Sequence, residues 1–461
     1  MTIIQLELDN PVTDITFPHE RRAVVSLALL YAFRMMGLFM VLPVLMLFGE
    51  NYQDSSPALL GLALGAYGFS QALLQIPFGL WSDRWGRKPV IAVGLILFAI
   101  GSVVAALSDT VYGLILGRFL QGAGAIASAI MALAADLTSD QNRTKAMASI
   151  GASIGVSFSV ALIIGPLVTE FGGLSAVFWL TSVFAAIGIL ILFFIVPNQS
   201  AKQAHILSSN QKLFGKVLKD KDLLRLDFGI FVLHFILMAS FLVLPQLLIN
   251  VSEIPQNKHS WVYLVMLVGA FVLMLPFILI AEKRKKIKPV FLGAVFLLGA
   301  MQLVLSLFYE ANYVLLGGFF LFFVAFNLLE ATLPSLLSKL APAGTRGTAN
   351  GIYSSGQFLG AFLGGALGGL ILSKFGVHGV FILCASLAFM WLITACFMTT
   401  PRQLSSIQVT LDGKDQHQLL PQLMKLPGVA EVWYVEAERA AHLKVDSAVF
   451  QRESMAELDL C

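Results

Sequence analysis

The feature that most constrains this chain is a recurring run of about 20 apolar residues, the length a helix needs to cross a hydrocarbon core while satisfying its own backbone groups. Such runs cover Val24 to Phe48, Ala58 to Trp81, Val90 to Leu107, Val111 to Leu133, Ala146 to Val168 and Ala176 to Val196. Six more follow, at Leu226 to Ile249, Trp261 to Ala281, Val290 to Phe308, Val314 to Leu337, Gly351 to Leu372 and Val380 to Met398. Twelve spans leave little material for a soluble surface. The composition agrees, with 57% hydrophobic and 12% charged residues, against about 25% charged in an ordinary globular domain. A net charge of +3 points to neither nucleic acid nor an acidic partner. Cys384, Cys396 and Cys461 form no Cys-x-x-Cys motif, which argues against a disulfide scaffold or a cysteine metal site.

Basic residues orient the spans, because short loops rich in Lys and Arg stay in the cytoplasm. Arg21, Arg22, Arg84, Arg87, Lys88, Arg143 and Lys145 fall in alternate loops, as do the lysines of the stretch from Lys202 to Lys221, then Lys283 to Lys288, Lys339, Arg346 and Arg402. The opposite loops hold Lys258 and Lys374. Both termini are therefore expected in the cytoplasm. Residues 1–20 are polar and acidic, unlike a cleaved signal peptide. The expected division is an N-terminal segment (1–20), a six-helix half (21–197), a linker (198–222), a second six-helix half (223–400) and a small α+β domain (401–461). An echo across the linker supports duplication: Pro77-Phe78, Asp83 and Arg87 recur at the same spacing as Pro276-Phe277, Glu282 and Lys286.

Between the second and third spans lies Gly79-Leu80-Trp81-Ser82-Asp83-Arg84-Trp85-Gly86-Arg87-Lys88-Pro89. It resembles the cytoplasmic signature of the major facilitator superfamily, in the expected place. Gly117 to Gly124 is similar to the fourth-helix motif of proton-coupled members, and Gly151, Gly155, Gly165 and Pro166 resemble part of the antiporter motif of the fifth helix. There Leu167-Val168-Thr169 stands where a glycine pair is usual, which leaves the direction of transport open. Arg34 to Pro43, Phe326 to Ala331 and the tail resemble the YajR-like subgroup of twelve-helix drug:proton antiporters.

The resemblance implies a fold of two six-helix halves in a bacterial inner membrane, and a conformational latch made of Gly79, Asp83, Gly86, Arg87, Lys88 and Asp136. Asp83 would face the N-terminal end of the eleventh helix near Thr348 to Gly351, where a carboxylate gains roughly 0.3 to 1 kcal/mol. Arg87 would pair with Asp136, and together these contacts would tie the halves when the cavity opens outward. Glycines at 356, 360, 364, 365, 368 and 369 suit close helix packing, and a sliding interface needs the same property.

Ionisable groups inside spans cost roughly 2.5 to 3.5 kcal/mol even on a lenient scale, and so tend to work. Arg34, Arg118, His234 and Glu330 are the candidates for proton coupling. Counted along the helices, Arg34, His234 and Glu330 lie at similar depth, and the resemblance makes helices one, four, seven and ten line the cavity. Glu330 is the expected proton carrier, since burial disfavours a charged carboxylate and a nearby Arg34 would favour it. A static buried pair is the alternative for Glu330, a simple helix contact for His234 and a structural role for Arg118. Tyr67, Gln71, Gln75, Gln121, Asn327, Tyr353 and Gln357 are the expected substrate contacts, in a mainly apolar cavity suited to amphipathic compounds.

Beyond Pro401 the pattern becomes that of a soluble domain: a strand at Ile407 to Leu411, a helix at Gln416 to Leu426, strands near Val429 to Val435 and Ala440 to Val445, and a helix to about Leu458. This β-α-β-β-α order resembles a ferredoxin-like domain of the heavy-metal-associated kind, yet Asp412-Gly413-Lys414-Asp415 replaces its cysteine loop. No metal or other cofactor is expected, although His417 and His442 are candidate ligands. The partner of this domain is left open. The reading is a proton-coupled exporter of a small amphipathic compound, against a symporter or uniporter of the same fold, or a membrane sensor signalling through its tail. No constellation for catalysis is present, so an enzyme is not expected.

Overall fold

A computed structural model describes residues 19–198, 215, 217–341, 346–399, 404–410, 416–435, 440–446 and 449–450. Most of the N-terminal segment, most of the linker and the last helix of the tail lie outside the described residues. The helices are α1 (Glu20–Phe39), α2 (Pro57–Trp85), α3 (Arg87–Leu107), α4 (Val111–Ala123), α5 (Ala127–Asp136), α6 (Asp140–Leu190), α7 (Lys221–Asn250), α8 (His259–Lys283), α9 (Ile287–Phe308), α10 (Asn312–Leu340) and α11 (Arg346–Cys396). Local chemistry sets several starts. Ser56 accepts a hydrogen bond from the Leu59 amide ahead of Pro57, and Asp220 accepts from the amides of Asp222 and Leu223, satisfying donors that a helix leaves open.

Ten candidate spans are long and apolar enough to cross a membrane among the described residues. Two of them, α6 and α11, carry 51 helical residues each, which in one line would reach about 77 Å. Both break partway. Gly173 has φ +61° and Gly376 φ +66°, a region that costs little only for glycine. Each long helix is therefore two antiparallel spans, and the ten become twelve. Two expected spans are interrupted. The first stops at Phe39, passes through turns around Pro43 and resumes as a single turn at Leu45–Phe48. The fourth divides into α4 and α5 at Gly124, where a Cβ would collide with the Gly94 carbonyl of α3.

The halves meet mainly through α2 and α11. Gly61 and Gly65 of α2 lie against the carbonyls of Gly365 and Phe362, and Gly68 against that of Phe358. One residue round the α11 surface, Gly360 and Gly364 lie against the carbonyls of Phe231 and Phe235 in α7. The glycines of α11 thus form two stripes, one serving its own half and the other the joint between halves.

The ends of the bundle differ. At the end away from the basic loops, Ser260 donates to the Ile163 carbonyl at 2.8 Å, and Gln246 donates to the Met46 carbonyl at 3.3 Å and to Glu50 at 3.1 Å. In mid-bundle, Phe158 and Phe326 from opposite halves have ring centroids 5.7 Å apart. At the basic end, a Cβ built on Gly151, Gly155, Gly347 or Gly351 meets nothing within 4 Å. Pairs between described side chains there stay within one half. The bundle is sealed at one end and parted at the basic end.

Duplication is visible in the closing contacts of each half. Lys88 at the start of α3 donates to the Val196 carbonyl at 2.6 Å, and Lys288 at the start of α9 donates to the Met398 carbonyl at 2.6 Å. Each lysine supplies positive charge where a terminal helix ends in open carbonyls.

The tail holds β1 (Leu404–Thr410), α12 (Gln416–Leu423), β2 (Val429–Val435) and β3 (Ala440–Asp446). The sheet is antiparallel in the order β1-β3-β2, with Val409, Leu423, Leu443 and Val445 in its core. Lys444, which alternation places on the outer face, is buried because its ammonium donates to the Lys339 carbonyl at 2.9 Å. That carbonyl lies in the last turn of α10, so the tail rests on the membrane bundle.

Candidate functional site: a cavity between the halves

The turn between α2 and α3 is tied by Arg87, which is 7% exposed. Its guanidinium donates to Asp83, to Ser82 at 2.8 Å and to Asp136 at 3.1 Å. Gly86 (φ +93°) makes the turn, and Gly79 packs beside Ser128 of α5. The contacts joining Asp83, Arg87 and Asp136 all lie inside the first half. Among described side chains, Asp83 is held by Arg87 and not by residues 348–351. The start of α11 has open space beside it, for a Cβ on Gly347 or Gly351 meets nothing within 4 Å.

Deeper in, a small cleft is lined by Tyr31, Met35, Phe39, Ile154, His234 and Gln357, with further apolar residues. Four helices from both halves supply this wall. His234 Nδ1 donates to the Ile230 carbonyl at 3.3 Å, and its Nε2 accepts from the Gln357 amide at 2.8 Å. Glu330 Oε2 lies 4.0 Å from the same ring nitrogen and has no hydrogen-bond partner. Tyr353 is within electrostatic reach of Glu330 and of Asp227, and its hydroxyl and Asp227 Oδ1 are also unpartnered. The second half thus gathers two carboxylates, an imidazole and a phenol.

The first half gathers cations instead. Arg34 donates to Gln71, whose amide donates to Gln75 at 2.8 Å. Arg118 donates to Gln121 at 2.9 Å, and Gln121 to Ser102 at 2.8 Å. Both guanidiniums lie over the Tyr67 ring, at 5.8 and 5.1 Å from its centroid.

Several expectations change. Arg34 and Glu330 are not paired, because Arg34 is held by Gln71 and Tyr67 of its own half while Glu330 sits with His234 in the other. Tyr67, Gln71, Gln75 and Gln121 are buried at 0–3% exposure; Tyr67, Gln71 and Gln121 meet the arginines and Gln75 bonds to Gln71, and none of the four is in this wall. Gln357 does. Asn327 is half-buried on α10 and Tyr353 is buried on α11. Asp227, inside the expected span Leu226 to Ile249, is not among the candidates read from the sequence. Its signal was the spacing of seven residues to His234, two helical turns on one face. Among the described residues no three His, Cys, Asp or Glu side chains are grouped to hold a metal.

The sequence profile of the Major Facilitator Superfamily matches residues 27–365 and 226–434, in two overlapping matches that span both halves. The chain belongs to the major facilitator superfamily. It is 47% identical over 441 residues to the Inner membrane transport protein YajR of Escherichia coli (strain K12), which covers 94% of this chain and 96% of that one. This supports the YajR-like subgroup. Over 205 residues it is 28% identical to Multidrug resistance protein 2 of Bacillus subtilis (strain 168), covering 44% of this chain and 50% of the other. The fold is also that of a crystal structure of a D-xylose-proton symporter, with TM-score 0.66 at 15% identity over 83% of this chain and 98% of that one. Members of this superfamily are transporters, and the chain is one of them, not an enzyme.

Proposed function

We propose that this superfamily member exports a small amphipathic compound from the cytoplasm in exchange for protons, by alternating access, in a bacterial inner membrane. The basic loops and both termini face the cytoplasm in this reading. The sealed end and the parted basic end then correspond to an inward-open state. The partial likeness to a multidrug resistance protein supports efflux, and the mainly apolar wall with a few polar groups suits an amphipathic cargo.

The observation that carries the reading is Glu330. Its carboxylate sits in mid-membrane with an oxygen that has no partner, next to His234 and a cavity shared by both halves. A carboxylate so placed is stable when it holds a proton and reactive when it gives one up. The latch residues complete the cycle: closing the basic end would bring Asp83 to the start of α11, while Arg87 and Asp136 keep the turn in shape. The tail, read as a ferredoxin-like domain, is assigned no transport step. Reconstitution in proteoliposomes tests this reading. Flux that collapses with the proton gradient supports the exchange. Flux that needs no proton gradient, or ligand binding without flux, rejects it. The departure at Leu167-Val168-Thr169 favours proton symport as the second reading, which the direction of proton movement distinguishes.

A further inference from the structure

We propose that the arginine cluster of the first half is a binding site for a monoanionic group of the carboxylate class, occluded in this state. It rests on the transport reading only in making that anion cargo; the binding itself stands apart from it.

Arg34 and Arg118 are 1% and 0% exposed, and Tyr67 between them is 0% exposed. Each guanidinium spends one N–H on a neutral amide oxygen, Arg34 on Gln71 and Arg118 on Gln121. Arg34 Nε and Nη1, Arg118 Nε and Nη2, and the Tyr67 hydroxyl are buried without a partner. Among the described residues neither guanidinium belongs to an ion pair. Two positive charges therefore share one ring with no counter-charge. Buried charges are ordinarily paired. Water would fill the hydrogen bonds but leave the charge, whereas an anion answers both.

The surroundings are built for this. Gln75 accepts from the Gln71 amide and Ser102 from the Gln121 amide, each at 2.8 Å, which turns both carbonyl oxygens toward the arginines. The amides hold one corner of each guanidinium and leave the other N–H groups unspent. A carboxylate offers two oxygens that match guanidinium forks, and the Tyr67 hydroxyl supplies a further donor. Tyr31 lies within electrostatic reach of Arg34 and Tyr67 and forms part of the cavity wall with Met35 and Leu38. The anion site and the Glu330 cluster thus occupy opposite halves, so closure over the cargo and protonation of the acid are separable events.

The test uses the full-length protein in detergent, with thermal stability read against acetate, benzoate, decanoate, phosphate and chloride, and with benzamide as the neutral twin of benzoate. The expected result is saturable stabilisation by at least one carboxylate and none by benzamide. Arg34→Gln and Arg118→Gln should each weaken that binding at least tenfold, with Arg118→Lys intermediate because charge remains but the fork is lost. If a glutamine variant fails to fold, the lysine variant and Tyr67→Phe carry the comparison, the latter expected to weaken binding about threefold. No stabilisation by any of the anions, or stabilisation unchanged in every variant that folds, overturns the site. Chloride or phosphate acting without any carboxylate overturns the carboxylate class. Binding that meets these expectations without flux of the bound carboxylate in proteoliposomes keeps the site and removes its role as cargo.

Discussion

The two halves tie matching helices at their basic ends with different ion pairs, an acid at the end of α5 in the first half standing where a lysine ends α10 in the second. In the first, Arg87 ties the end of α2 to the end of α5 through Asp83 and Asp136. In the second, Glu282 at the end of α8 holds Lys339 at the end of α10 at 3.0 Å. The interiors are reversed as well, with Arg34 and Arg118 in the first half and Asp227 and Glu330 in the second. A duplicated scaffold keeps Asp83 and Glu282 at matching helix ends, while their partners and the interior charges differ between the halves. The joints also differ in burial. Arg87 is almost enclosed, but the Glu282 side chain is 48% exposed, where an ion pair contributes little.

The largest test of this asymmetry is Glu330→Gln. Proton-driven flux in proteoliposomes should fall at least a hundredfold while ligand binding, followed by thermal stabilisation, persists; full coupled flux would take Glu330 out of the mechanism. Next comes the seal between halves. Gly65→Ala drives a Cβ into the Phe362 carbonyl, a clash expected to cost about 1 to 3 kcal/mol. It should make cysteines placed near Ser260 reactive from the sealed side, and unchanged labelling would contradict a tight seal. A paired comparison of joints follows. Asp83→Asn should shift labelling between the two sides by severalfold, whereas Glu282→Gln should move it little and change stability by less than about 1 kcal/mol; equal effects would erase the distinction. The smallest effect belongs to Gly151→Ala at the open end. With nothing near its Cβ, it should leave access unchanged and raise stability by at most about 1 kcal/mol, which a melting curve will show.

Much of the scaffold was legible because apolar length and turn chemistry are local. The breaks at Gly173 and Gly376 fall between expected spans, and the succession of strand, helix, strand and strand in the tail follows from alternation and the Pro427-Gly428 break. What was not legible depends on partners distant in sequence. Alternation puts Lys444 on an outer face, and its bond to the Lys339 carbonyl comes from a helix about a hundred residues away. Helix counting gave Arg34 and Glu330 a common depth but not a common side. Depth is set by residue number, whereas facing depends on how α1 and α10 rotate against their neighbours. Gln71 and Gln121, read as cavity contacts, face the arginines for the same reason: a guanidinium without a charged partner takes the nearest acceptors.

The bond from Lys444 to the last turn of α10 has a mechanical corollary. The helix that bears Glu330 carries the small domain as a rider, and any rocking of its basic end must either swing that load with it or snap the tether. In the proposed transport cycle, that bond makes the small domain part of whatever α10 does at its basic end.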